Sequence, residues 1–366
     1  MGPYDPVMSR FTVTPSPHPT SVEARAAAVA HPVLGKDYGD HMARATWTAE
    51  RGWHDLSIEA VQPLQMHPAA GVFHYAQEIF EGMKAYRRPD GGVNLFRPEK
   101  NAARFAQSAV RMSMPPLPVE DFVDSVTDLV ALDQAWVPDA EGEQSLYIRP
   151  FMIADETFLG VRAAKRYTYA VVTTPAGPYY PDPVKLWVTP SYTRAAPGGT
   201  GAAKCGGNYA ASLAAAAEAQ QHGCGQVLWL DGAEHRWVEE CGTMNILFVT
   251  RDGDLVTPAL SGTILDGVTR DSILTIAPEV GLRTVERKVE FAEVLAGVRE
   301  GAIAEVLACG TAAVITPISG FATPEGDDVM VGDGAAGEQT RALRSRLLDI
   351  QYGRADDPYG WTHQVA

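Results

Sequence analysis

The sequence predicts a mixed α and β protein built of two domains. Length is the first reason: 366 residues, 46% of them hydrophobic and 20% charged, provide more core than one domain usually holds. Two alternating periodicities are the second. EKNAARFAQSAVRM (99–112) and VEDFVDSVTDLVALDQAW (119–136) repeat apolar positions every three and four residues, as amphipathic helices do, while 145–153 and 167–173 are short, apolar and strand-like. The third is TTPAGPYYPDPV (173–184), whose four prolines remove backbone donors and mark it as the linker.

In chain order, residues 1–33 carry several prolines, Ser and Thr without sustained periodicity and are expected to form a flexible arm. Residues 34–174 then make a smaller N-terminal α/β domain, 175–184 the link, and 185–366 a larger C-terminal domain. In the larger domain 184–190 reads as a strand. Asn208 is expected to cap an alanine-rich helix over 209–222 that Gly223 closes. Strands follow at 226–230 and 244–250, the latter turning through Arg-Asp-Gly-Asp into 255–258 as a hairpin. Helices are expected at about 268–277, 291–298 and 337–350, with a strand at 304–308.

Charge and cysteine usage narrow the function. A formal net charge of -15 repels nucleic acid and anionic membranes at long range, and no apolar run reaches the roughly 20 residues that span a bilayer. Cys205, Cys224, Cys241 and Cys309 form no CxxC pair and no metal-binding spacing, so they read as reduced thiols with no metal site. With no basic start and apolar run at the N-terminus, the expected location is cytoplasmic.

One stretch carries chemistry. GGTGAAKCGGNY (198–209) sets Lys204 among residues with almost no side chain, just ahead of a helix. Most lysines are solvated. Glycine and alanine on both sides, however, let backbone and ligand approach closely, and a lysine so placed can lose its proton and form a Schiff base with a carbonyl. A phosphate-cradling P-loop fits less well, because Ala203-Lys204-Cys205 lacks the hydroxyl that follows the lysine there.

Pyridoxal phosphate would need an anion site for its phosphate, a charge partner for its pyridine nitrogen and a clamp for its ring, and the first two have candidates in the residues themselves. VEECGTMN (238–245) offers Glu239 and Glu240 as a carboxylate for the pyridine nitrogen. ILDGVTRDS (264–272) is a turn entering a helix, whose first N-H groups favour a phosphate. The Cys309-Gly310-Thr311-Ala312 turn is a second candidate, and Arg104 could add full charge.

Taken together these segments resemble the branched-chain amino acid aminotransferases of the pyridoxal-phosphate fold-type IV group, which are D-amino acid aminotransferase-like in fold with a barrel-like larger domain. The likeness runs from about Leu34 to Ile350 through FEGMKAY (80–86), NLFRPEKNAARF (94–105), LYIRP (146–150), KCGGNYAAS (204–212), QVLWLDG (226–232), EECGTMNILF (239–248), LVTPALSGTILDGVTRDS (255–272) and CGTAAVITP (309–317). FEGMKAY and LYIRP favour this family over the D-amino acid aminotransferases and aminodeoxychorismate lyases of the same group.

The resemblance implies roles. Lys204 would hold pyridoxal 5'-phosphate as an internal aldimine and carry the proton. Glu240 would face the pyridine nitrogen, Tyr209 the phenolate oxygen, and Leu265 the ring. Arg104, Val268, Thr269 and Thr311 would hold the phosphate. Tyr38, Tyr75, Tyr147, Arg149, Thr243, Met244, Thr311 and Ala312 would form the substrate pocket, with Leu159 to Val161 reaching a partner subunit's site in a homodimer. The implied reaction passes the amino group of leucine, isoleucine or valine to 2-oxoglutarate by a ping-pong route.

Overall fold

Two nine-stranded sheets organise the residues described by this computed structural model, 9–365. The chain divides into two units, one running to Gly177 and taking in the residues from Asp357 onward, the other Pro178–Asp356.

In the first unit the sheet order is Thr12–Val13, Gly52–Ala60, His41–Thr48, Arg166–Ala176, Ser145–Ala154, Met83–Arg87, Val93–Phe96 and Thr362–Gln364, with Glu78–Phe80 pairing beside Ser145–Ala154. The predicted helices form at Pro98–Arg111 and Val119–Leu132. Their apolar faces meet at Phe105 and Phe122, ring centroids 5.4 Å apart, and both rings pack on Tyr169 of the sheet. The strand Arg166–Ala176 runs through Pro175 into the expected proline-rich break. Its ladder to His41–Thr48 has stopped at Val171, so the missing N-H forfeits no bond on that side.

Two expectations are corrected here. Residues 9–33 are fastened: Thr12–Val13 adds a parallel strand, Arg10 pairs with buried Asp121 at 2.7 Å, and Ser21 caps the helix Val22–Ala30. The Ser16 and Thr20 N-H groups also donate to His41 Nε2 and Asp40. Residues 1–8 of the expected arm lie outside the described residues. The end of the chain does not stay with the larger domain: Thr362–Gln364 pairs antiparallel with Val93–Phe96, and Trp361 packs edge-on against Phe96.

In the second unit the order is Val238–Cys241, Gln226–Leu230, Val184–Val188, Val314–Ala322, Ile303–Gly310, Asn245–Thr250, Asp254–Pro258 and Arg283–Arg287, with Asp328–Met330 beside Val314–Ala322. This order forces a curl. Val238–Cys241 and Asn245–Thr250 lie five strand steps apart, about 24 Å across a flat sheet. Residues 242–244 join them, a link of at most about 15 Å. The sheet therefore closes toward a half-barrel, with a bridge between Cys241 and Met244 at the seam.

Leu228, Ile246, Ala308 and Phe321 are fully buried or nearly so in its core. Helices Val268–Ile276, Phe291–Glu300 and Glu338–Gln351 lie where the periodicity predicts. All four cysteines are buried and unbridged, and no helix among the described residues is long and apolar enough to cross a membrane.

Candidate active site

Lys204 stands in the short extended segment between the glycine-rich turn and the helix Gly206–Ala210. Asn208 holds that segment. Its amide donates to Thr200 O at 2.9 Å and Ala203 O at 2.8 Å, and its Oδ1 accepts from the Thr200 hydroxyl. The expected cap over 209–222 is thus corrected: Cys205 occupies the N-cap place, and the helix breaks before resuming at Leu213–Gln221. Two loop carbonyls offer Asn208 more than a single helix N-H would. Lys204 Nζ donates to the Tyr209 hydroxyl at 2.8 Å.

The strand Val238–Cys241 sends Glu239 and Glu240 to opposite faces. Glu240 is 3% exposed; Oε1 accepts the Leu265 N-H at 2.6 Å, and Oε2 lies 2.9 Å from Arg194 Nε. Burial pushes its carboxyl above the usual range, against the pull of Arg194, the Leu265 N-H and Lys204. Glu239 accepts from the Thr263 hydroxyl, while its Oε2 is buried without a hydrogen bond, and burial again raises the carboxyl.

Lys204, Tyr209, Glu240, Leu265, Thr243 and Arg194 line one pocket. Of the residues expected at the site, five are brought together there. The two candidate phosphate turns meet at Asn245. Its Nδ2 donates to Leu265 O at 3.0 Å, and a Cβ on Gly267 would fall on its Oδ1. No side chain caps the helix that begins at Val268, which leaves the Val268 and Thr269 N-H end suited to an anion. Asn245 also pairs with Cys309, next to the Thr311 and Ala312 turn. That turn is strained, because β-branched Val314 holds φ at +56°. Met244 is buried on the same strand connection, against Gly310.

The remaining candidates lie in the first unit. Arg104 is buried, and its Nε and Nη2 pair with Glu81 at 2.7 and 2.8 Å, while Asn101 and the Gly82 N-H also donate to that carboxylate. Tyr147 and Arg149 share one face of Ser145–Ala154; Arg149 Nη2 donates to the Tyr147 hydroxyl at 3.1 Å and its guanidinium lies over Phe80. A Cβ on Gly82 would collide with that hydroxyl, so FEGMKAY and LYIRP are matched surfaces. Tyr75 donates to Leu159 O at 2.7 Å, Tyr38 to Gly35 O at 3.0 Å, and Leu159 and Val161 are exposed.

Residues 78–321 match the family described as amino-transferase class IV. A Streptomyces coelicolor protein described as a probable branched-chain-amino-acid aminotransferase is 52% identical over 355 residues, 96% of this chain and 98% of that one. The chain belongs to the class IV aminotransferase family.

Solved structures similar to this class IV aminotransferase include the branched-chain amino acid aminotransferase from Thermobaculum terrenum in its PLP-form, at TM-score 0.72 and 25% identity over 90% of this chain and all of that one. Another is the branched-chain amino acid aminotransferase from Escherichia coli, at TM-score 0.72 and 27% identity, covering 89% of this chain and 99% of that one. The expected fold-type IV architecture is the one observed. Sequence reasoning on this class IV aminotransferase missed Arg194, Glu81 and Asn245 as site residues. Glu81 and Asn245 sit inside quoted motifs, where an ionic or amide residue amid buried strand positions was a usable signal; Arg194 carried none.

Proposed function

We propose that this class IV aminotransferase passes the amino group of leucine, isoleucine and valine to 2-oxoglutarate, giving branched-chain 2-oxo acids and L-glutamate in alternating ping-pong half-reactions. Its cofactor is pyridoxal 5'-phosphate, and it works as a cytoplasmic homodimer. The observation that carries this reading is the pocket in which the Lys204 amine bonds the Tyr209 hydroxyl beside the buried Glu240. The names of the similar proteins, one of them solved in its PLP-form, support it.

The donor set fits the cofactor. A buried carboxylate suits a protonated ring nitrogen, an amine suits an aldehyde, and a helix start with glycine at its N-cap suits a phosphate. When bound, pyridoxal phosphate supplies an electron sink for the substrate's α-carbon and holds the amino group between half-reactions.

The chain's own residues do the rest. Lys204 Nζ would hold the cofactor's aldehyde carbon and, once the incoming substrate amine has taken its place and freed it, would take the α-proton as general base and return it as general acid. Tyr209 keeps a hydroxyl against that nitrogen and toward the phenolate oxygen. Glu240, ionised, keeps the ring nitrogen protonated, and Leu265 walls the ring while its N-H holds Glu240. The N-H groups of Val268 and Thr269, the Thr311 hydroxyl and Arg104 take the phosphate. Glu81 fixes the plane of the Arg104 fork.

For substrate, Tyr38, Tyr75, Tyr147, Thr243 and Met244 enclose the branched chain, Arg149 receives the distal carboxylate of glutamate, and Thr311 and Ala312 take the α-carboxylate. Leu159 and Val161 serve the partner's site.

Visible spectroscopy tests this. Protein loaded with pyridoxal phosphate should absorb in the visible and lose that band on addition of L-leucine, with D-alanine inert. Bleaching by D-alanine alone would overturn it.

A further inference from the structure

We infer that Arg194 is a positioning residue of this site, holding Glu240 as an anion and tying the Lys204 loop to the same carboxylate. The inference rests on the function proposed above, since it concerns the carboxylate assigned to the ring nitrogen.

Three separate pieces of chain meet on one buried guanidinium, whose side chain is 7% exposed. Nε lies 2.9 Å from Glu240 Oε2, and Nη2 donates to Gly201 O at 2.9 Å and Thr263 O at 3.0 Å. Gly201 leads into Lys204. Thr263 leads into Leu265, whose N-H holds the other oxygen of Glu240. The approach is close enough to require glycine: a Cβ on Gly201 would collide with Thr263 O and lie 2.6 Å from Ala195 Cβ. Nε faces Glu240 without the alignment of a hydrogen bond, so this contact is chiefly one of charge.

Charge is what Glu240 requires. Burial alone favours its neutral form, and a neutral acid would not draw a proton onto a ring nitrogen. The other charges that act on it are Lys204, which helps, and Glu239 on the opposite face of the strand, which opposes; the thiols of Cys241 and Cys309 beside it are both pushed up by burial. Arg194 is the largest favourable contribution. A planar, permanently charged fork meets one carboxylate and two carbonyls at once, which an ammonium on a flexible stem does not.

A double-mutant cycle in the loaded enzyme tests this, using Arg194→Met, Glu240→Gln and the pair. Arg194→Met should lower kcat by about a hundredfold in the wild-type background. In Glu240→Gln it should cost less than about threefold, because the group it acts through is already neutral. A second readout is the pH titration of the bound cofactor's visible band, whose acid transition should move up by about one pH unit in Arg194→Met.

Equal losses in both backgrounds, or an unmoved transition, would overturn the inference and leave Arg194 as a structural tie. If Arg194→Met does not fold, Arg194→Gln, which keeps an amide for the carbonyls but no charge, takes its place with the same expectations. Wild-type protein that fails to take up pyridoxal phosphate would instead remove the proposed function, and this inference with it.

Discussion

The pocket around Lys204 and the loops that carry Tyr38, Tyr75, Leu159 and Val161 are built on opposite plans. In the pocket, the Glu240, Arg194 and Asn208 side chains are buried, and each binds backbone outside its own element, Glu240 at Leu265 and Arg194 at Thr263 across long stretches of sequence. On the loops, Tyr38 is 49% exposed, Leu159 62% and Val161 86%, and the Tyr38 and Tyr75 hydroxyls donate to the carbonyls of Gly35 and Leu159 at the surface. A bidentate Arg162 to Glu156 pair holds the second loop in shape, yet leaves its apolar side chains outward. The groups proposed to react are thus fixed in advance, where small displacements cost most. The residues assigned to recognition sit where sequence can change with little damage to the fold.

The largest effect should come from Lys204→Ala, which removes the proposed anchor, base and acid together. Turnover should drop by about 10⁴-fold or more while cofactor absorbance shows retention. Activity within tenfold of wild type would erase the contrast between the two regions.

Next is Glu81→Ala, which leaves the Arg104 guanidinium buried without its carboxylate. Urea unfolding should show a loss of about 3–5 kcal/mol. Gly82→Ala drives a methyl into the Tyr147 hydroxyl and should cost about 1–3 kcal/mol, with a raised KM for L-leucine.

Glu239→Gln probes the buried carboxylate that faces away from Glu240. Its folded proton affinity is raised by burial, so the ionised form weakens the fold once pH exceeds the folded value, whereas at a pH below the unfolded value of about 4.3 the acid is neutral in both states. Melting of the cofactor-free protein should show Glu239→Gln gaining a few degrees at pH 8, a gain that vanishes toward pH 4. The smallest stability effect belongs to Val161→Ser, within about 0.5 kcal/mol, with any consequence confined to KM and to the proposed pairing of subunits.

This contrast also explains what the sequence made legible. Lys204, Tyr209, Glu240, Thr243 and Leu265 could be read because each sits in a short ordered motif, and the helix Pro98–Arg111 because its periodicity is local. Arg194 could not, since its partners Glu240 and Thr263 are distant in sequence and nothing in SYTRAAPGG announces them. Asn208 was misread for a different reason: its partners are close in sequence, but beside an alanine-rich run it looks like a cap, and only the fold of the loop brings the Thr200 and Ala203 carbonyls onto its amide. The fastening of residues 9–33 depends on His41, Asp40 and Asp121, single polar side chains that no periodicity reveals. The tail at Thr362–Gln364 is too short to carry a strand signal until Val93–Phe96 offers it an edge.

Borohydride reduction of the cofactor-loaded protein, followed by peptide mapping, addresses the central claim most directly. The pyridoxyl group should be found on Lys204 alone. A tag on another lysine, or no tag in protein that still transfers amino groups, would contradict the account.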